Sequence, residues 1–471
     1  MRPILSLVIL VPLCGGLVYG GWQKTFGGSS WDAGYAALEF DDDYWIFGRY
    51  VVDGVRACAL VVDEDGNLQH QYFFGPTDEF SAIFDAKIFQ DSLIVVCGHA
   101  GYSYDSDLWI AAIRPDGSVK WTLRHDIDYG TDSALALDIL EDSLIFVAGV
   151  AETTYESDSP FEKCGVVLKI NPDGTIATSR FFTNSENFLS INAIKVLPLG
   201  AYIIGGTMDI GGSAYRGYIA KIDADDSIIW WDTIPYPRHG IYDITTSDDA
   251  NFFAVGYSVC PATYGTEVSV INFNGSGEIN WTQHYSLSSR DEGYDMVLSP
   301  DGAVIIGETY GGPGYMDGKN MFLLKISAST GDSIAVDFYG GTDDDVGYGI
   351  MRDDMGNLIA VGYSCSFGET EGDIYVIKTN DVLPVKEPPL LAGYEVGAFP
   401  NPFNRSVVIS LPTDAEQVVI YDATGTKIDE FTPDGSAFRW SPPANCGSGI
   451  YFVRAHFSDT SSAEAKILYI K

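Results

Sequence analysis

The stretch Leu93–Gly117, LIVVCGHAGYSYDSDLWIAAIRPDG, contains the pattern that decides the fold. One apolar run ends at Gly98, a second extends from Trp109 to Ile113, and Asp116-Gly117 follows as a turn. Short β-rich runs bounded by an Asp-Gly turn are typical of antiparallel hairpins. The stretch therefore predicts consecutive short strands and no helix.

The same pattern recurs seven times before residue 381. The first run of each unit ends in a glycine, and these glycines lie 50 to 57 residues apart, at Gly48, Gly98, Gly149, Gly206, Gly256, Gly307 and Gly362. In several units an aromatic residue follows four positions after the turn, as Trp121 and Trp281 do, and a further strand precedes the glycine run. Units of four short strands at this period indicate propeller blades. We predict an all-β chain with a seven-bladed β-propeller over residues 21–380.

The two ends of the repeat complement each other. The seventh unit stops at Asn380 without its fourth strand, whereas Trp22–Phe26 is typical of a strand and has no unit of its own. We predict that residues 22–26 complete the last blade, which closes the ring and removes an exposed sheet edge.

The N-terminus and the charge indicate an exported protein. Met1-Arg2 precedes an almost wholly apolar run from Ile4 to Val18, and this predicts a signal peptide over residues 1–20. We expect no transmembrane segment after cleavage of the signal. The 65 acidic residues against 27 Lys and Arg give a net charge of −38, which argues against nucleic-acid binding.

A second domain follows the repeat. Residues 381–395 contain three prolines and interrupt the pattern, so we interpret them as a linker. Residues 396–471 contain six or seven short alternating strands, which predict a small immunoglobulin-like β-sandwich.

Three segments of this domain resemble the C-terminal sorting domain of type IX secretion cargo. They are FPNPFN at residues 399–404, VVIYDATGTKI at 418–428 and GSGIYFVRA at 447–455. The sorting motif comprises Pro400, Asn401, Pro402, Phe403, Asn404, Gly449, Ile450 and Tyr451. The resemblance implies the type IX secretion machinery as a partner, and a secreted or outer-membrane-surface location in a Gram-negative-type bacterium. A flagellar hook-capping domain shares this fold. The run Trp22–Asp32 is similar to blade repeats of secreted bacterial propeller proteins with such tails, which implies a fold and no activity.

Four aspartates recur 16 or 17 residues before the glycine of their unit, at Asp32, Asp132, Asp291 and Asp345. They could form a ring of carboxylates for Ca²⁺ or a cationic ligand. They could instead accept backbone N–H bonds in the loops between blades. Exact repetition favours the second interpretation, because a binding site on a pseudo-symmetric ring should break the symmetry.

No catalytic residue, cofactor or metal site is predicted. The chain has no HExxH or GxSxG pattern, and its Asp-Gly pairs are explained by hairpin turns. Arg238-His239 stands where other units have the aspartate. His239 could act as a general base, but we expect it to lie in a surface loop.

Aromatic residues in the loops after the glycine runs suggest a ligand-binding face. The predicted ligand-binding residues are Trp31, Tyr104, Tyr155, Tyr215, Arg238, His239, Tyr264 and Tyr315. The leading hypothesis is a monomeric, exported binding protein that recognises a glycan, peptide or matrix ligand. The alternatives are a secreted polysaccharide hydrolase or lyase on the same face, and a structural spacer.

Overall fold

The computed structural model describes most of the chain after residue 20. Described are residues 21–380 without 103, 128–129, 142, 154–161, 183–187, 210–214, 235–237, 249, 261–264, 300–301, 312–317 and 369–370, and residues 397–471 without 400–404, 412–414, 423–425, 434–436, 444–445, 458–461 and 470. The predicted signal peptide and linker lie outside these residues. The chain divides into two compact units, Met1–Val385 and Lys386–Lys471. None of the helices described is long and apolar enough to cross a membrane.

The first unit consists of seven four-stranded antiparallel sheets, which are the blades. Blades 1 to 3 contain β2 (Ala33–Phe40), β3 (Asp43–Val51), β4 (Val55–Val62) and β5 (Leu68–Phe74); β6 (Phe80–Phe89), β7 (Leu93–Tyr102), β8 (Asp105–Ile113) and β9 (Val119–His125); and β10 (Ser133–Leu140), β11 (Leu144–Thr153), β12 (Glu162–Ile170) and β13 (Ile176–Phe182). Blades 4 to 6 contain β14 (Phe188–Val196), β15 (Tyr202–Asp209), β16 (Tyr215–Ile222) and β17 (Ile228–Thr233); β18 (His239–Asp248), β19 (Asn251–Val259), β20 (Thr266–Asn274) and β21 (Ile279–Tyr285); and β22 (Asp291–Ser299), β23 (Gly302–Tyr310), β24 (Lys319–Ile326) and β25 (Ser333–Tyr339). Blade 7 contains β26 (Asp345–Arg352), β27 (Leu358–Ser364), β28 (Asp373–Thr379) and β1 (Trp22–Phe26), and a 3₁₀ turn at Pro198–Gly200 joins β14 to β15.

The blades form a closed ring. The first strand of each blade contacts the first strand of the next, and β26 contacts β2. A hydrophobic cluster fills each seam between blades; for example, Phe47 of blade 1 packs in one cluster with Trp109 of blade 2. The middle strands are apolar along most of their length because neighbouring sheets cover both of their faces. The predicted all-β, seven-bladed propeller is confirmed.

Strand β1 completes blade 7 as predicted. It pairs antiparallel with β28, in a register from Trp22 opposite Lys378 to Phe26 opposite Ile374. Phe26 also joins the apolar cluster at the seam between blades 7 and 1, together with Ile46. The first described strand therefore connects the two ends of the repeat by both hydrogen bonds and packing.

The aromatic residues four positions after the turns connect neighbouring blades. The indole of Trp121 on blade 2 covers the turn of blade 3, where a Cβ added to Gly174 would lie 2.7 Å from the ring. Its Nε1 donates a hydrogen bond of 3.1 Å to the carbonyl of Pro172. The same contact joins Trp230 to Gly277 and Trp281 to Gly331. Trp22 and Tyr72, at other positions in the sequence, cover Gly66 and Gly117 in the same way. The turn glycines therefore combine a positive φ with a close approach of the neighbouring ring.

Each innermost strand contains a β-bulge at the same position. A bulge re-aims one side chain on the bulged strand. The extra residue in the seven blades is Tyr35, Phe84, Leu135, Asn192, Tyr242, Tyr294 and Tyr348. All seven are half-buried, as expected for side chains that line the central channel.

The second unit is a small sandwich of two sheets. One sheet contains β29 (Gly397–Phe399), β30 (Val407–Ser410) and β33 (Ala437–Trp440), and the other β32 (Lys427–Phe431), β31 (Ala415–Asp422), β34 (Gly449–Phe457) and β35 (Ser462–Tyr469). Val407, Ile420, Trp440 and Val453 share one core. An all-strand C-terminal unit is confirmed, and its immunoglobulin-like nature stays a prediction.

Candidate functional site: the axial funnel

The repeated aspartates are parts of the seams between blades. Asp32 is fully buried and accepts hydrogen bonds from the backbone N–H of Gly28 at 2.9 Å and of Val51 at 2.6 Å. Asp132 likewise accepts the N–H groups of Ile127 and Glu152 at 2.9 and 3.0 Å. Burial raises the pKa of Asp32 to about 6 and that of Asp132 to about 7. These carboxylates therefore hold the inter-blade loops.

His239 does not lie in a surface loop, so that prediction was wrong. It occupies the seam position in blade 5, its side chain is fully buried, and its Nε2 lies 2.8 Å from Oγ of Ser269. Burial lowers its pKa to about 3, so the imidazole is uncharged at neutral pH. The repeat pattern had placed His239 at the position of the recurring aspartate. In the structure this position is the start of an innermost strand, and it is buried. Its neighbour Arg238 is exposed.

The predicted loop aromatics lie on different blades. Tyr104 is 77% exposed and stacks on Tyr102 with ring centroids 6.1 Å apart, whereas the exposed Tyr215 begins β16 on blade 4. Trp31 is half-buried, and its ring lies 5.4 Å from that of Tyr363. Tyr155, Tyr264 and Tyr315 lie outside the described residues.

The bulged residues form a continuous arc of rings around the channel. Centroid distances are 5.1 Å from Tyr242 to Tyr294, 5.3 Å from Tyr294 to Tyr348, 5.1 Å from Tyr348 to Tyr35 and 5.2 Å from Tyr35 to Phe84. We call these five residues the aromatic crescent. It spans blades 5, 6, 7, 1 and 2, whereas blades 3 and 4 place Leu135 and Asn192 at this position. The crescent therefore breaks the symmetry of the ring.

The residues that follow the glycines of the second strands surround the crescent. His99 contacts Phe84 at 5.2 Å, Tyr257 contacts Tyr242 at 5.7 Å, and Tyr363 contacts Tyr348 at 6.0 Å. The seven residues at this position are Arg49, His99, Val150, Thr207, Tyr257, Glu308 and Tyr363. Their side-chain chemistry differs in almost every blade, although the backbone position is the same.

Blade 6 adds a pair of carboxylates. Glu292 and Glu308 are opposite each other in the register of β22 and β23, and both are buried. The Glu292 carboxylate accepts weak hydrogen bonds from Tyr242 Oη at 3.3 Å and Tyr294 Oη at 3.4 Å, while Lys319 Nζ lies 2.8 Å from Glu308. Burial, and then the charge of Glu308, raises the pKa of Glu292.

Blade 1 contributes a cation to the channel, and blade 2 contributes a neutral imidazole. The Arg49 guanidinium lies 3.5 Å from the centroid of the Trp31 ring. Burial, and then Arg49, lowers the pKa of His99 to about 4, so this imidazole is neutral near pH 7. We call the aromatic crescent together with Arg49, His99, Tyr257, Glu292, Glu308 and Tyr363 the axial funnel.

A short sequence motif marks three residues of the aromatic crescent. The tetrapeptide Asp-x-Gly-Tyr occurs at residues 32–35, 291–294 and 345–348. Its glycine is required by packing; a Cβ at Gly347 would lie 2.5 Å from Ile306. The tyrosine that follows is the bulged residue. No comparable motif marks Arg49 or Glu308 as residues of the funnel.

One group of acids outside the funnel has metal-compatible spacing. Ligand oxygens of Asp105, Asp107 and Asp126 lie within 4.8 Å of one another. Arg124 forms ion pairs with Asp107 and with Glu79 beside this group. An internal cation therefore already balances part of its charge.

Solved structures similar to this chain are distant. PorZ, a surface component of the type IX secretion system of Porphyromonas gingivalis, is 12% identical with a TM-score of 0.43, and the match covers 95% of this chain and 60% of that chain. The polysaccharide lyase Uly1 is 12% identical with a TM-score of 0.48, covering 74% of this chain and 90% of that one. Drosophila Plexin A, in a complex with Semaphorin 1b, is 10% identical with a TM-score of 0.45, covering 75% and 86%. No curated protein matches the chain.

The second unit carries the sorting motif. Gly449, Ile450 and Tyr451 begin β34, and Tyr451 is buried with its ring 5.8 Å from that of Trp440 and its hydroxyl donating to the Gly447 carbonyl at 2.8 Å. Residues 400–404 lie outside the described part of the chain. Residues 397–471 match the family model described as the secretion system C-terminal sorting domain. The chain is thus an all-strand propeller protein with a sorting tail of this family, carried by the type IX system to the bacterial cell surface or beyond it.

Proposed function

We propose that the propeller is an extracellular binding module and that the axial funnel recognises a saccharide. The supporting observation is the break in symmetry at the funnel. Four of the seven blades hold Asp at the seam position, whereas the residue that follows the glycine of the second strand is Arg49 in blade 1, His99 in blade 2 and Glu308 in blade 6. Selection for scaffolding alone would give no reason for Arg49, His99 and Glu308 to differ.

The chemistry of the funnel suits sugars. Pyranose rings present apolar faces that pack against aromatic side chains, and binding sites generally combine such surfaces with a few placed polar groups. The crescent offers the ring surface. Glu292, Glu308, His99 and Arg49 offer acceptors and donors around it.

A panel of immobilised neutral and acidic polysaccharides tests the proposal. Purified propeller should bind at least one of them, and Tyr257→Ala and Glu292→Gln should each weaken that binding about tenfold, equivalent to about 1.4 kcal/mol. Matched controls are Tyr104→Ala and Glu278→Gln, which change exposed residues outside the funnel. Binding of no polysaccharide, or binding that only the controls weaken, would contradict the proposal.

The alternative function is cleavage of a polysaccharide by hydrolysis or elimination. It is favoured by His99, an uncharged imidazole close to a guanidinium, because a general base must be unprotonated at the working pH. Incubation of bound polysaccharides should then release reducing ends or unsaturated products. Their absence, together with retained binding, supports the binding module.

A further inference from the structure

We propose that Arg49 anchors a carboxylate of the ligand, so that the axial funnel selects an acidic, uronate-type saccharide. This inference rests on the proposed function and names its ligand class. The geometry that carries it is a half-buried guanidinium that lies over the Trp31 ring beside the aromatic crescent and forms no ion pair with any acid of the described residues.

The guanidinium is poorly satisfied within the protein. One of its terminal nitrogens donates to the Trp31 carbonyl at 3.3 Å, and its Nε is buried without a hydrogen-bond partner. Across the part of the chain that the structure describes, no carboxylate oxygen lies within 4.0 Å of its nitrogens. With 65 acidic residues against 27 Lys and Arg in the chain, acids to pair with Arg49 are abundant. A partly desolvated charge without a counter-ion is costly, and an incoming anion would remove that cost.

Two other cations, Lys87 on the innermost strand β6 and Lys319 at the start of β24, each form an ion pair. Lys87 lies 2.9 Å from Asp85, and Lys319 lies 2.8 Å from Glu308. Asp32, the acid that acts electrostatically on Arg49, already accepts the N–H groups of Gly28 and Val51. Arg49 differs from these two lysines because it forms no ion pair with any of the described residues.

The guanidinium itself suits an anion that is flat and two-pronged. Stacking on an aromatic face keeps a guanidinium oriented, and its fork of N–H groups matches a carboxylate. His99 is neutral and therefore repels neither a cation nor an anion. Tyr35 and Tyr348 lie close enough to Arg49 for its positive charge to act on their pKa values. A sugar ring packed on the crescent would place an exocyclic carboxylate within reach of this corner.

Pairs of polymers that differ only in the carboxyl group test the inference. The probes are polygalacturonate and its carboxyl-reduced form, alginate and its carboxyl-reduced form, and heparin as a sulfated polymer. Wild-type full chain should bind the carboxylated member of a pair at least tenfold more tightly than the reduced member. Arg49→Gln should remove that preference, and Arg49→Lys, which keeps the charge and loses the fork, should retain part of it.

The control is Arg114→Gln, which changes an exposed arginine bonded to Ser118 in a hairpin turn. It should leave both affinities unchanged. Thermal unfolding of each variant separates a local loss from a folding defect.

The outcomes distinguish this inference from the proposed function. Equal binding of both members of every pair overturns the carboxylate anchor and leaves the saccharide-binding proposal standing. Preference for heparin over the carboxylated polymers also overturns the anchor. A loss in Arg49→Gln that is equal for acidic and reduced polymers assigns Arg49 a structural role and overturns it. Binding of none of these probes overturns the anchor, and it overturns the proposed function as well only if no polysaccharide of the wider panel binds.

Discussion

The seams and the axial funnel are built from the same repeated strands but follow opposite rules. At the seam position, Asp32, Asp132, Asp291 and Asp345 recur and accept hydrogen bonds from backbone N–H groups of the loops between blades. In the funnel, one backbone position carries Arg49 in blade 1, His99 in blade 2 and Glu308 in blade 6. The difference shows that the aspartate recurs where four of the blades use it to hold an inter-blade loop. Divergence at a fixed position marks the surface free to acquire a specific role.

Removal of residues 21–27 should have the largest effect. The deletion removes β1, exposes the edge of β28 and opens the seam that Phe26 helps to fill. Edge exposure and loss of a full strand should abolish cooperative unfolding at the wild-type temperature, as measured by circular dichroism during heating. The control is Ser29→Ala with Ser30→Ala, just after the strand. An unchanged melting temperature in the deletion would show that the ring does not depend on its closing strand.

Replacement of one seam aspartate should cost less than the deletion, yet more than any funnel change. Asp291→Ala leaves the N–H groups of Leu287 and Ser288 and the hydroxyl of Thr309 without their acceptor in a buried site. We expect the free energy of unfolding to fall by about 2–4 kcal/mol in urea titrations. Asp116→Ala, at an exposed turn bonded to Ser118, should cost under about 1 kcal/mol. Similar losses for the two variants would remove the distinction between seam and turn.

The free energy of unfolding should also depend on pH through the seam. The direction is opposite to that of acids whose pKa is lowered by folding. The carboxyl of Asp132 titrates at about 7 in the folded chain and at about 3.9 when unfolded. The folded state therefore holds the proton more tightly, so the stability contribution of this group is present at low pH and is lost as pH rises from about 4 to 7.

The matched comparison is wild type against Asp132→Asn at pH 5 and pH 8, by urea denaturation. The destabilisation caused by Asn should be smaller at pH 8. A destabilisation that grows with pH would mean that the carboxylate is favoured in its charged form. Asp116→Asn serves as the control, because hydrogen bonds from Ser118 lower the pKa of Asp116 and the trend should not follow that of Asp132.

The smallest effect is expected at the exposed loop aromatics. Tyr104→Ala and Tyr215→Ala should each change the free energy of unfolding by less than about 0.5 kcal/mol, because both side chains are exposed. They should also leave saccharide binding within a factor of two if the funnel is the site. Loss of binding in these variants, with Tyr257→Ala unaffected, would move the site from the funnel to the loops predicted from the sequence.

The fold was more predictable than the site, for a physical reason. The apolar runs, Asp-Gly turns and orphan strand Trp22–Phe26 are local signals of a repeated unit, and they led directly to seven blades closed by β1. The location of His239 failed because the start of an innermost strand is buried against the neighbouring blade, which periodicity alone does not reveal. The proximity of Glu292 to Tyr242 depends on the packing of blade 5 against blade 6 and has no counterpart in the linear sequence.

The pairing of Trp22 with Lys378 sets an order of assembly. These residues are separated by almost the whole propeller, so the ladder between β1 and β28 cannot form until the seventh blade is present. Contacts between residues so far apart in sequence require the closure of a long loop, which costs entropy. They therefore form late and slowly. A chain that still lacks its seventh blade therefore offers no partner to β1 and cannot close the ring.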